Sequence, residues 1–415
     1  MERRSDVIVI GGGSVGVCTA YYLAKKNFQV TLIEKGQICS GCSYGNACMI
    51  VPSHAMPIPA PGVIKKSLKW IFKEDSPLLI RPQLDRQLFS WFLRFAASCR
   101  EKPMAKTIPI LRDLGRASLL LFRELAAAED LSFDFKQRGL MTVYSSTAGL
   151  QEGKKEAELL SKHGLSVRLL TGDEARELEP ALNNTVVGAI YSDEDAHGSS
   201  FQFVTGMGTV VKNLGVTVET DTEVTGWLID RQTPFGVKTN RGDFYAKEIV
   251  LAMGSWTPIL TSQLGVRVPV QAGKGYSMTM DRPSISPEIP FIHAERKVGV
   301  TTIGNRLRFA GTMEFAGLDL SLNKTRMKSI QKGAAEVLSG AEGPSNVEYW
   351  CGLRPCTPDG RPIIDRLSNY PNIYLSTGHA MLGYTHGPIS GKLMAELINR
   401  ETPSLSLEAL KLNRF

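Results

Sequence analysis

The chain has 415 residues, of which 43% are hydrophobic and 21% are charged, and its formal net charge is +7. This composition is ordinary for a water-soluble globular protein, and the length suffices for two domains or one large interleaved unit. No basic block is interleaved with aromatic residues, which argues against nucleic-acid binding. No apolar run approaches the roughly 20 residues of a membrane-spanning helix. Cleavage of a signal peptide at the Arg3-Arg4 pair would remove the first strand, so we expect a cytoplasmic protein.

The first 34 residues predict a strand, a glycine turn, a helix and a second strand, over 6–10, 11–16, 17–26 and 29–34. Gly11 permits the tight turn, and Gly13 lets a pyrophosphate approach bare backbone. Gly16 lets the helix lie close to the strands, and the helix N-terminus offers free N–H groups to phosphates. Glu34 can accept hydrogen bonds from ribose hydroxyls and would repel a 2′-phosphate. This pattern predicts a dinucleotide site that disfavours NADP.

The next stretch, residues 35–50, is rich in Gly, Ser and Asn and predicts a loop that wraps a polar ligand. It contains Cys39, Cys42 and Cys48, three of the seven cysteines. An odd number of cysteines without a secretory signal indicates reduced thiols. No second pair follows at the spacing of a zinc finger, and His54 is the only histidine close in sequence. We therefore expect thiols that line a cofactor loop and no metal site.

A basic and aromatic segment covers residues 65–73, where lysines alternate with Trp70, Ile71 and Phe72. Such a segment can lie on an anionic membrane surface. It can equally be an ordinary packed helix with its lysines toward water. The sequence leaves both interpretations open.

The rest of the chain alternates helices and strands. Helices are predicted over 85–100, 105–129, 151–163, 174–179, 201–213, 322–339 and 388–400. Strands are predicted over 139–144, 188–191, 216–219, 248–252 and 372–376, with a meander over 223–245 and irregular strands over 268–315. The strand at 248–252 ends in small residues, which would let a cofactor pass close to the strand tip.

The last loop and helix carry a second set of ligand features. Pro388 suits the first turn of a helix that Thr385 or His386 can cap. Gly383 and Gly387 leave backbone N–H groups free to face a ligand. A helix N-terminus here would stabilise the negative charge of a reduced flavin by about 0.5–2 kcal/mol, and a nicotinamide has no such need. FAD therefore fits the sequence better than NAD.

Seven segments along the whole chain resemble the FAD-dependent D-amino-acid dehydrogenases, within the glycine oxidase, sarcosine oxidase and D-amino-acid oxidase group. They are the N-terminal glycine motif with Glu34, GCSYGNA at 41–47, IVLAMGSW at 249–256, VQAGKGYSMT at 270–279, RFAGTMEF at 308–315, GLRPCTPDGRPIID at 352–365 and TGHAMLGYTHG at 377–387. The resemblance implies an α/β fold: a glutathione-reductase-like, FAD-binding Rossmann domain joined to an α+β substrate domain built on an antiparallel sheet. It assigns 1–85, 198–260 and 350–415 to the FAD-binding domain, and 86–197 and 261–349 to the substrate domain.

The resemblance also implies which residues hold FAD. Gly11, Gly13 and Gly16 take the pyrophosphate, and Glu34 takes the adenosine ribose. Val224 places backbone at the adenine. The pyrimidine edge of the flavin is held by Gly383, Tyr384 and Thr385. The other implied contacts are Ser14, Val15, Lys35, Ser40, Cys42, Ser43, Asn46, Ala47, Ala252, Gly254, Trp256 and Arg354.

In this group an arginine of the G-L-R-P segment binds the substrate carboxylate, which implies that role for Arg354. A guanidinium fork matches a carboxylate with two charge-assisted hydrogen bonds. The alternative for Arg354 is a structural ion pair. Tyr276 and His379 are candidates for the pocket wall, although either could be plain packing. Cys48 stands where the group usually has glycine, and a covalent cysteinyl-flavin does not match its position.

The implied reaction is oxidation of a D-amino acid at its α carbon. The amine binds deprotonated, a hydride passes to flavin N5, and water hydrolyses the imino acid to a 2-oxo acid. The electrons then pass to a quinone or another acceptor. One alternative substrate class is secondary amino acids: cis-4-hydroxy-D-proline, D-proline, sarcosine or glycine. Another alternative is a flavoprotein subunit of a hetero-oligomeric dehydrogenase, with the cysteines of residues 39–48 at its interface. Peripheral contact with the inner face of the cell membrane also stays open.

Overall fold

The computed structural model describes residues 3–70, 75–340 and 345–415. The helices in these ranges are α1 (Ser14–Ala24), α2 (Val63–Trp70), α3 (Arg86–Ser98), α4 (Glu101–Ala128), α5 (Thr147–Lys162), α6 (Gly172–Leu178), α7 (Ser200–Asn213), α8 (Thr257–Gln263), α9 (Lys324–Ala335) and α10 (Gly387–Ile398). The strands are β1 (Arg3–Ile10), β2 (Val30–Ile33), β3 (Met49–Ile50), β4 (Leu78–Ile80), β5 (Leu140–Tyr144), β6 (Arg168–Thr171), β7 (Gly188–Ser192), β8 (Ala196–His197), β9 (Thr217–Glu219), β10 (Val224–Asp230), β11 (Thr233–Thr239), β12 (Gly242–Leu251), β13 (Gln271–Asp281), β14 (Phe291–His293), β15 (Val298–Ile303), β16 (Arg306–Phe315), β17 (Glu348–Cys356), β18 (Ile363–Arg366) and β19 (Ile373–Thr377).

The first sheet has a parallel centre in the order β19-β12-β1-β2-β9. Its β1 residues Val7–Ile10 are buried, because α1, α7 and α10 cover one face while the β10–β11 hairpin and α8 cover the other. Strands covered on both faces consist of continuous apolar runs, which is the pattern of the predicted first strand. The carboxyl ends of the parallel strands open on one edge, where ligands of such sheets bind.

Strand β12 joins two features that the sequence predicts as separate. Its first half pairs with β11 and its second half pairs with β19, while β1 runs along its other side. The meander predicted over 223–245 and the strand predicted over 248–252 are therefore one hairpin that continues into the parallel centre. No turn interrupts β12, which is one continuous strand over residues 242–251.

The second sheet is mostly antiparallel, in the order β17-β13-β16-β15-β14-β5-β7-β6, with β4 added beside β16. Helix α9 packs on one face of this sheet and contributes Met327, Ile330 and Ala334 to its core. The opposite face of β13 and β17 looks toward the first sheet. The predicted division into two domains stays a prediction, and β17 crosses its boundary at residue 350.

Some predicted boundaries differ from the observed ones. Helix α4 begins at Glu101 and not at 105, because Pro103 lies in its first turn, where the missing N–H is no loss. Helix α10 has no side-chain cap at His386, and the Thr385 hydroxyl donates to the Met49 carbonyl (3.1 Å), so the predicted caps are wrong.

The segment over 65–73 is described only in part. It forms the end of α2 as far as Trp70, and Ile71, Phe72 and Lys73 lie outside the described residues. None of the helices in the described ranges combines the length and the hydrophobicity that a membrane span requires.

Candidate active site

One elongated cavity runs from the carboxyl edge of the first sheet to the inner face of the second. The residues that line it come from distant parts of the chain. They are Ile10, Gly11, Gly13, Ser14, Val15, Ile33–Lys35, Gly41–Ser43, Gly45, Asn46, Thr222–Val224, Ala252–Trp256, Ile259, Leu260, Gly275, Trp350, Gly352–Pro355, Ser376, Thr377, His379–Met381, Gly383 and Tyr384. The first and last thirds of the sequence thus meet around a single site.

The glycine turn at one side of the cavity leaves room for a phosphate group. Gly11 has a φ of +113°, and an ideal Cβ there would lie 2.4 Å from the Ala252 carbonyl oxygen. The Ser14 hydroxyl is buried and makes no hydrogen bond within the described residues. Gly387, at the start of α10, lies so close that an ideal Cβ would be 2.0 Å from Ser14 Oγ. The N-termini of α1 and α10 therefore converge, and both bring partial positive charge to this region.

The end of β2 forms one extremity of the cavity. The Glu34 carboxylate accepts hydrogen bonds from the backbone N–H groups of Gly12 (2.6 Å) and Gly36 (3.0 Å), which fix its position. The Lys35 ammonium lies 3.6 Å from the centre of the Trp256 ring. Both Glu34 and Trp256 line the cavity together with Val224. A fixed carboxylate beside apolar walls suits a nucleoside, whose hydroxyls and base need these two kinds of surface.

The loop between β2 and β3 closes over the glycine turn and is braced from the second sheet. Ser43 Oγ accepts from the backbone N–H of Ser14 (3.0 Å). Arg308 of β16 donates through Nη1 to the carbonyls of Tyr44 (3.0 Å) and Asn46 (2.9 Å). Its Nε donates to Thr279 Oγ1 (2.9 Å). The second sheet therefore holds the cavity-facing side of this loop.

The inner face of the second sheet forms the other extremity. Alternate residues of β17 point into the cavity, as successive strand residues face opposite sides. They are Trp350, Gly352 and Arg354, and Gly275 lies opposite Gly352 on β13. An ideal Cβ on Gly275 would be 2.1 Å from Arg354 Cζ, so the guanidinium lies directly over that glycine.

Arg354 is a cation without a carboxylate partner among the residues that the structure describes. Its Nη1 donates to the Thr312 carbonyl (2.7 Å), and burial lowers the pKa of the guanidinium. The neighbouring Cys42 does not neutralise it, because burial raises the pKa of that thiol and keeps it protonated. The alternative of a structural ion pair at Arg354 therefore finds no support in the described residues.

His379 lies in the cavity wall as a neutral side chain. Burial lowers the pKa of His379 to about 4, and its Nε2 is 2.9 Å from Ser390 Oγ. His386 is also buried, with its pKa lowered to about 3 by burial. At neutral pH neither ring supplies charge to the site.

Most of the predicted cofactor contacts lie in one cavity. Those that line it are Gly11, Gly13, Ser14, Val15, Glu34, Lys35, Cys42, Ser43, Asn46, Val224, Ala252, Gly254, Trp256, Arg354, Gly383 and Tyr384. The Tyr384 hydroxyl turns away and donates to the Gly198 carbonyl (3.1 Å), so its backbone is what faces the site.

Four predicted contacts do not line the cavity. Gly16 lies under Gly11, where an ideal Cβ would be 1.8 Å from the Gly11 carbonyl oxygen, so its role is helix-to-strand packing. Ser40 is exposed at the outer side of the loop. Ala47 packs against β15, whose Thr301 hydroxyl donates to its carbonyl (2.8 Å). Thr385 uses its hydroxyl to bind β3, as described above.

The prediction that Tyr276 lies in the pocket wall is also wrong. It is 1% exposed in the core between β13 and α9, and its hydroxyl donates to Glu314 Oε2 (2.6 Å). Because Gly275 faces the cavity, the next residue must face the opposite side of the sheet. Tyr276 therefore cannot contact a ligand in the cavity.

Two features of the cavity at the second sheet, Trp350 and the facing pair Gly275 and Gly352, were not predicted from the sequence. The signal was available in part, since Trp350, Gly352 and Arg354 are spaced by two and share one strand face. The pairing of that face with Gly275 depends on the register between β13 and β17, which spacing alone does not reveal.

The cysteines of the loop are inside the chain. Cys39 and Cys48 are each 1% exposed, and Cys42 lines the cavity. All seven cysteines are free thiols. The idea that this cluster lies at a subunit interface is therefore wrong, because two of its members are covered by the chain itself. Within the described ranges, no three His, Cys, Asp or Glu residues cluster as metal ligands would.

The cavity fits a flavin dinucleotide by its own features. It offers a bare glycine turn with an unpartnered buried Ser14 hydroxyl for a diphosphate, and a fixed Glu34 carboxylate for a ribose. It continues past Asn46 to the backbone of Gly383 and the open face of β17. These features define the class of the protein as a dinucleotide-binding protein whose cavity extends to the second sheet.

The comparisons with known proteins give the family. The profile of the DAO family, described as FAD dependent oxidoreductase, matches residues 6–397. The chain therefore belongs to this family and is an FAD-dependent oxidoreductase. The predicted family and the predicted FAD cofactor are confirmed.

Two relatives named D-amino acid dehydrogenase are similar over nearly their whole length. The one from Paramagnetospirillum magneticum is 34% identical over an alignment of 417 positions, which covers 99% of this chain and 98% of the relative. The one from Allorhizobium ampelinum is 30% identical over an alignment of 416 positions, which again covers 99% and 98% of the two chains.

Solved structures confirm the fold class. Glycine oxidase from Geobacillus kaustophilus superposes with a TM-score of 0.82 at 22% identity, covering 100% of this chain and 99% of that one. L-proline dehydrogenase from P. horikoshii gives a TM-score of 0.77 at 22% identity, covering 100% and 98%.

Proposed function

We propose that the protein oxidises a D-amino acid to the imino acid, which water hydrolyses to a 2-oxo acid and ammonia. The observation that carries this proposal is Arg354, a buried guanidinium that faces the cavity and whose charge meets no carboxylate in the described part of the chain. A substrate carboxylate supplies that partner. The relatives named D-amino acid dehydrogenase support the D configuration.

The residues around Arg354 favour the reactive form of the substrate. A hydride leaves the α carbon readily only when the amine is uncharged. Among the residues that the structure describes, no carboxylate lines the cavity near Arg354, and His379 is neutral, so no charged side chain of the described part stabilises an ammonium group at this end. FAD, when bound, accepts the two electrons of the oxidation. The chain itself positions the carboxylate, favours the neutral amine and encloses the reacting carbon between β17 and the loop over 41–46.

Anaerobic titration of the yellow holoenzyme tests the reaction. We expect D-amino acids to bleach the flavin absorbance, with formation of a 2-oxo acid, and the L enantiomers to leave it unchanged. The panel also includes D-proline, cis-4-hydroxy-D-proline, sarcosine and glycine. If only the secondary amines or glycine bleach the flavin, the substrate class proposed here is wrong.

The substitution Arg354→Met tests the role of the guanidinium. Each charge-assisted hydrogen bond to the carboxylate contributes about 1.5–3 kcal/mol, so kcat/KM falls by about 100-fold or more. Arg354→Lys keeps the charge but not the fork and recovers part of the loss. The flavin content of both variants is measured as a control for folding. An unchanged KM in Arg354→Met would contradict carboxylate binding by this residue.

We also propose that the outer face of α3 touches an anionic membrane surface, from which a quinone would accept the electrons. Phe89 and Leu93 stand one turn apart on this face and are 67% and 58% exposed, and Leu84 precedes them fully exposed. Arg100, which follows α3, and Lys102 and Lys106 of α4 line a cleft and form no ion pair with a described residue. The carboxylate of Asp359 in the same cleft is paired with Arg361 and Arg414. Apolar side chains beside unneutralised cations are typical of a surface that binds anionic lipid.

Sedimentation with vesicles tests this contact. We expect binding to phosphatidylglycerol vesicles, weakened by salt, and little binding to phosphatidylcholine vesicles. The double variant Phe89→Ser/Leu93→Ser loses binding. The double variant Leu169→Ser/Leu178→Ser also removes two exposed leucines, elsewhere on the surface, and keeps binding. Equal indifference of the wild type to both kinds of vesicle would end this proposal.

A further inference from the structure

The end of the cavity beyond Arg354 is closed by a tryptophan ring. Trp350 lies on the cavity face of β17, and an ideal Cβ on Gly352 would be 2.1 Å from its Cη2 atom. An ideal Cβ on Gly45 would be 2.2 Å from its Cδ2 and Cε3 atoms. The indole thus rests against two backbones, one from the second sheet and one from the loop of the first. Glycine at both positions is what allows the ring to lie there.

The edge of the Trp350 ring and the Arg354 guanidinium lie over two glycines that face each other across neighbouring strands. Gly352 and Gly275 are direct cross-strand partners. The ring edge occupies the Cβ position of Gly352, and the Arg354 guanidinium occupies that of Gly275. Cβ positions of such a pair are about 4.5–5.5 Å apart. A carboxylate bound to Arg354 therefore brings the α carbon directly beside the indole.

The walls at this end are also uncharged apart from Arg354. Among the described cavity-lining residues, the other charged side chains are Glu34, Lys35 and Glu223, which lie at the far end by β2 and β10. Glu348 is the next residue on the face of β17, but it is exposed beyond the ring and accepts a hydrogen bond from the Tyr44 hydroxyl. A charged substrate side chain would find no partner here.

We infer that Trp350 limits the length of the substrate side chain and restricts the enzyme to small, neutral amino acids such as alanine. This inference rests on the proposed function, since it assumes that Arg354 binds the carboxylate. The indole is held in place by Gly45, Gly352 and the nearby Tyr44 ring, at 6.5 Å between centroids. It therefore acts as a fixed end wall and excludes longer side chains.

Kinetics with D-alanine, D-2-aminobutyrate, D-methionine and D-phenylalanine test the inference. In the wild type, kcat/KM falls along this series. In Trp350→Ala, the ratio of kcat/KM for D-phenylalanine to that for D-alanine rises about tenfold or more, and Trp350→Phe gives a smaller rise. Tyr349→Ala is the matched control, because Tyr349 is the neighbouring aromatic residue and is 50% exposed on the other face of β17. Its ratio stays at the wild-type value.

A second measurement does not depend on turnover. Acetate and phenylacetate carry the carboxylate without the amine, and their binding is followed through the flavin spectrum. We expect the wild type to bind acetate better than phenylacetate, and Trp350→Ala to reverse that order. If Trp350→Ala does not retain flavin, Trp350→Phe carries both measurements.

The outcomes separate the two proposals. If no amino acid bleaches the wild-type flavin, the proposed function fails. The binding of acetate and phenylacetate still tests whether Trp350 is the end wall. If the wild type is active but Trp350→Ala and Trp350→Phe keep the wild-type ratio, the role of Trp350 is refuted and the proposed function stands. A wild type that prefers D-phenylalanine to D-alanine would refute the end wall directly.

Discussion

The absence of a side chain at Gly275 leaves the space in which the Arg354 guanidinium lies. The three heavy atoms nearest to an ideal Cβ all belong to the Arg354 guanidinium, and the nearest is at 2.1 Å. The pairing of β13 with β16 is irregular between Lys274 and Tyr276, but Gly275 has no positive φ, so the constraint comes from the guanidinium and not from the torsion angles. A methyl group here would displace the end of a flexible side chain and leave the sheet intact.

The substitution Gly275→Ala should therefore act on substrate binding. We expect KM for the amino acid to rise about tenfold, since the guanidinium loses its optimal fork geometry toward the carboxylate. Flavin content and melting temperature should stay near the wild-type values. Gly206→Ala on α7 is the control, as its ideal Cβ meets only the end of Leu131 at 3.0 Å. An unaltered KM in Gly275→Ala would show that Arg354 does not need this position.

At the scale of elements, the loop between β2 and β3 depends on a strand of the other sheet. Arg308 of β16 is 8% exposed and holds the carbonyls of Tyr44 and Asn46. Asn46 and its neighbours line the cavity that fits FAD, so Arg308 connects the second sheet to this part of the cavity wall.

Replacing the cation should loosen FAD. In Arg308→Met two loop carbonyls lose a buried donor, at about 1–3 kcal/mol each, so the Kd for FAD rises about 30-fold or more. Fluorescence titration of the apoprotein with FAD measures this change. Arg86→Met removes an exposed arginine from α3 and serves as the comparison. If Arg308→Met binds FAD as tightly as Arg86→Met, the hydrogen bonds from Arg308 to the loop do not contribute to FAD binding.

At the scale of the whole molecule, both sheets and both ends of the chain form the walls of one cavity. FAD contacts only the folded arrangement, so its binding stabilises that arrangement by mass action. The free energy gained is about 2.7 kcal/mol when free FAD exceeds its Kd 100-fold.

Removal of FAD should therefore lower the melting temperature by several degrees, and FAD added back should restore it. The shift should grow with FAD concentration in scanning calorimetry. Riboflavin lacks the diphosphate and the adenosine, so it should restore much less. A melting temperature that is the same with and without FAD would contradict a site built from both sheets.

The sequence predicted best what is local. The glycine turn and Glu34 lie within 24 residues of one another, and their physical roles follow from strand, turn and helix alone. Resemblance supplied Arg354. The errors arise where a side chain's direction depends on distant pairing. Tyr276 faces away from the cavity because of its register in β13, and Trp350 faces into it for the same reason.

Thr385 and Ala47 illustrate a related limit. Each lies within two residues of a cavity-lining position, yet the first binds β3 and the second packs on β15. Neighbouring loop residues can face opposite sides. Which of them faces the cavity depends on the strands that pack against the loop.

The contact between Ser14 and Gly387 has a consequence for biosynthesis. Residues 11–16 leave the ribosome several hundred residues before α10, the helix that completes their cradle. Nascent chains fold from their N-terminus while translation proceeds. The glycine turn therefore forms before its partner helix exists, and the prosthetic group can be bound fully only after α10 has been translated and has folded onto α1.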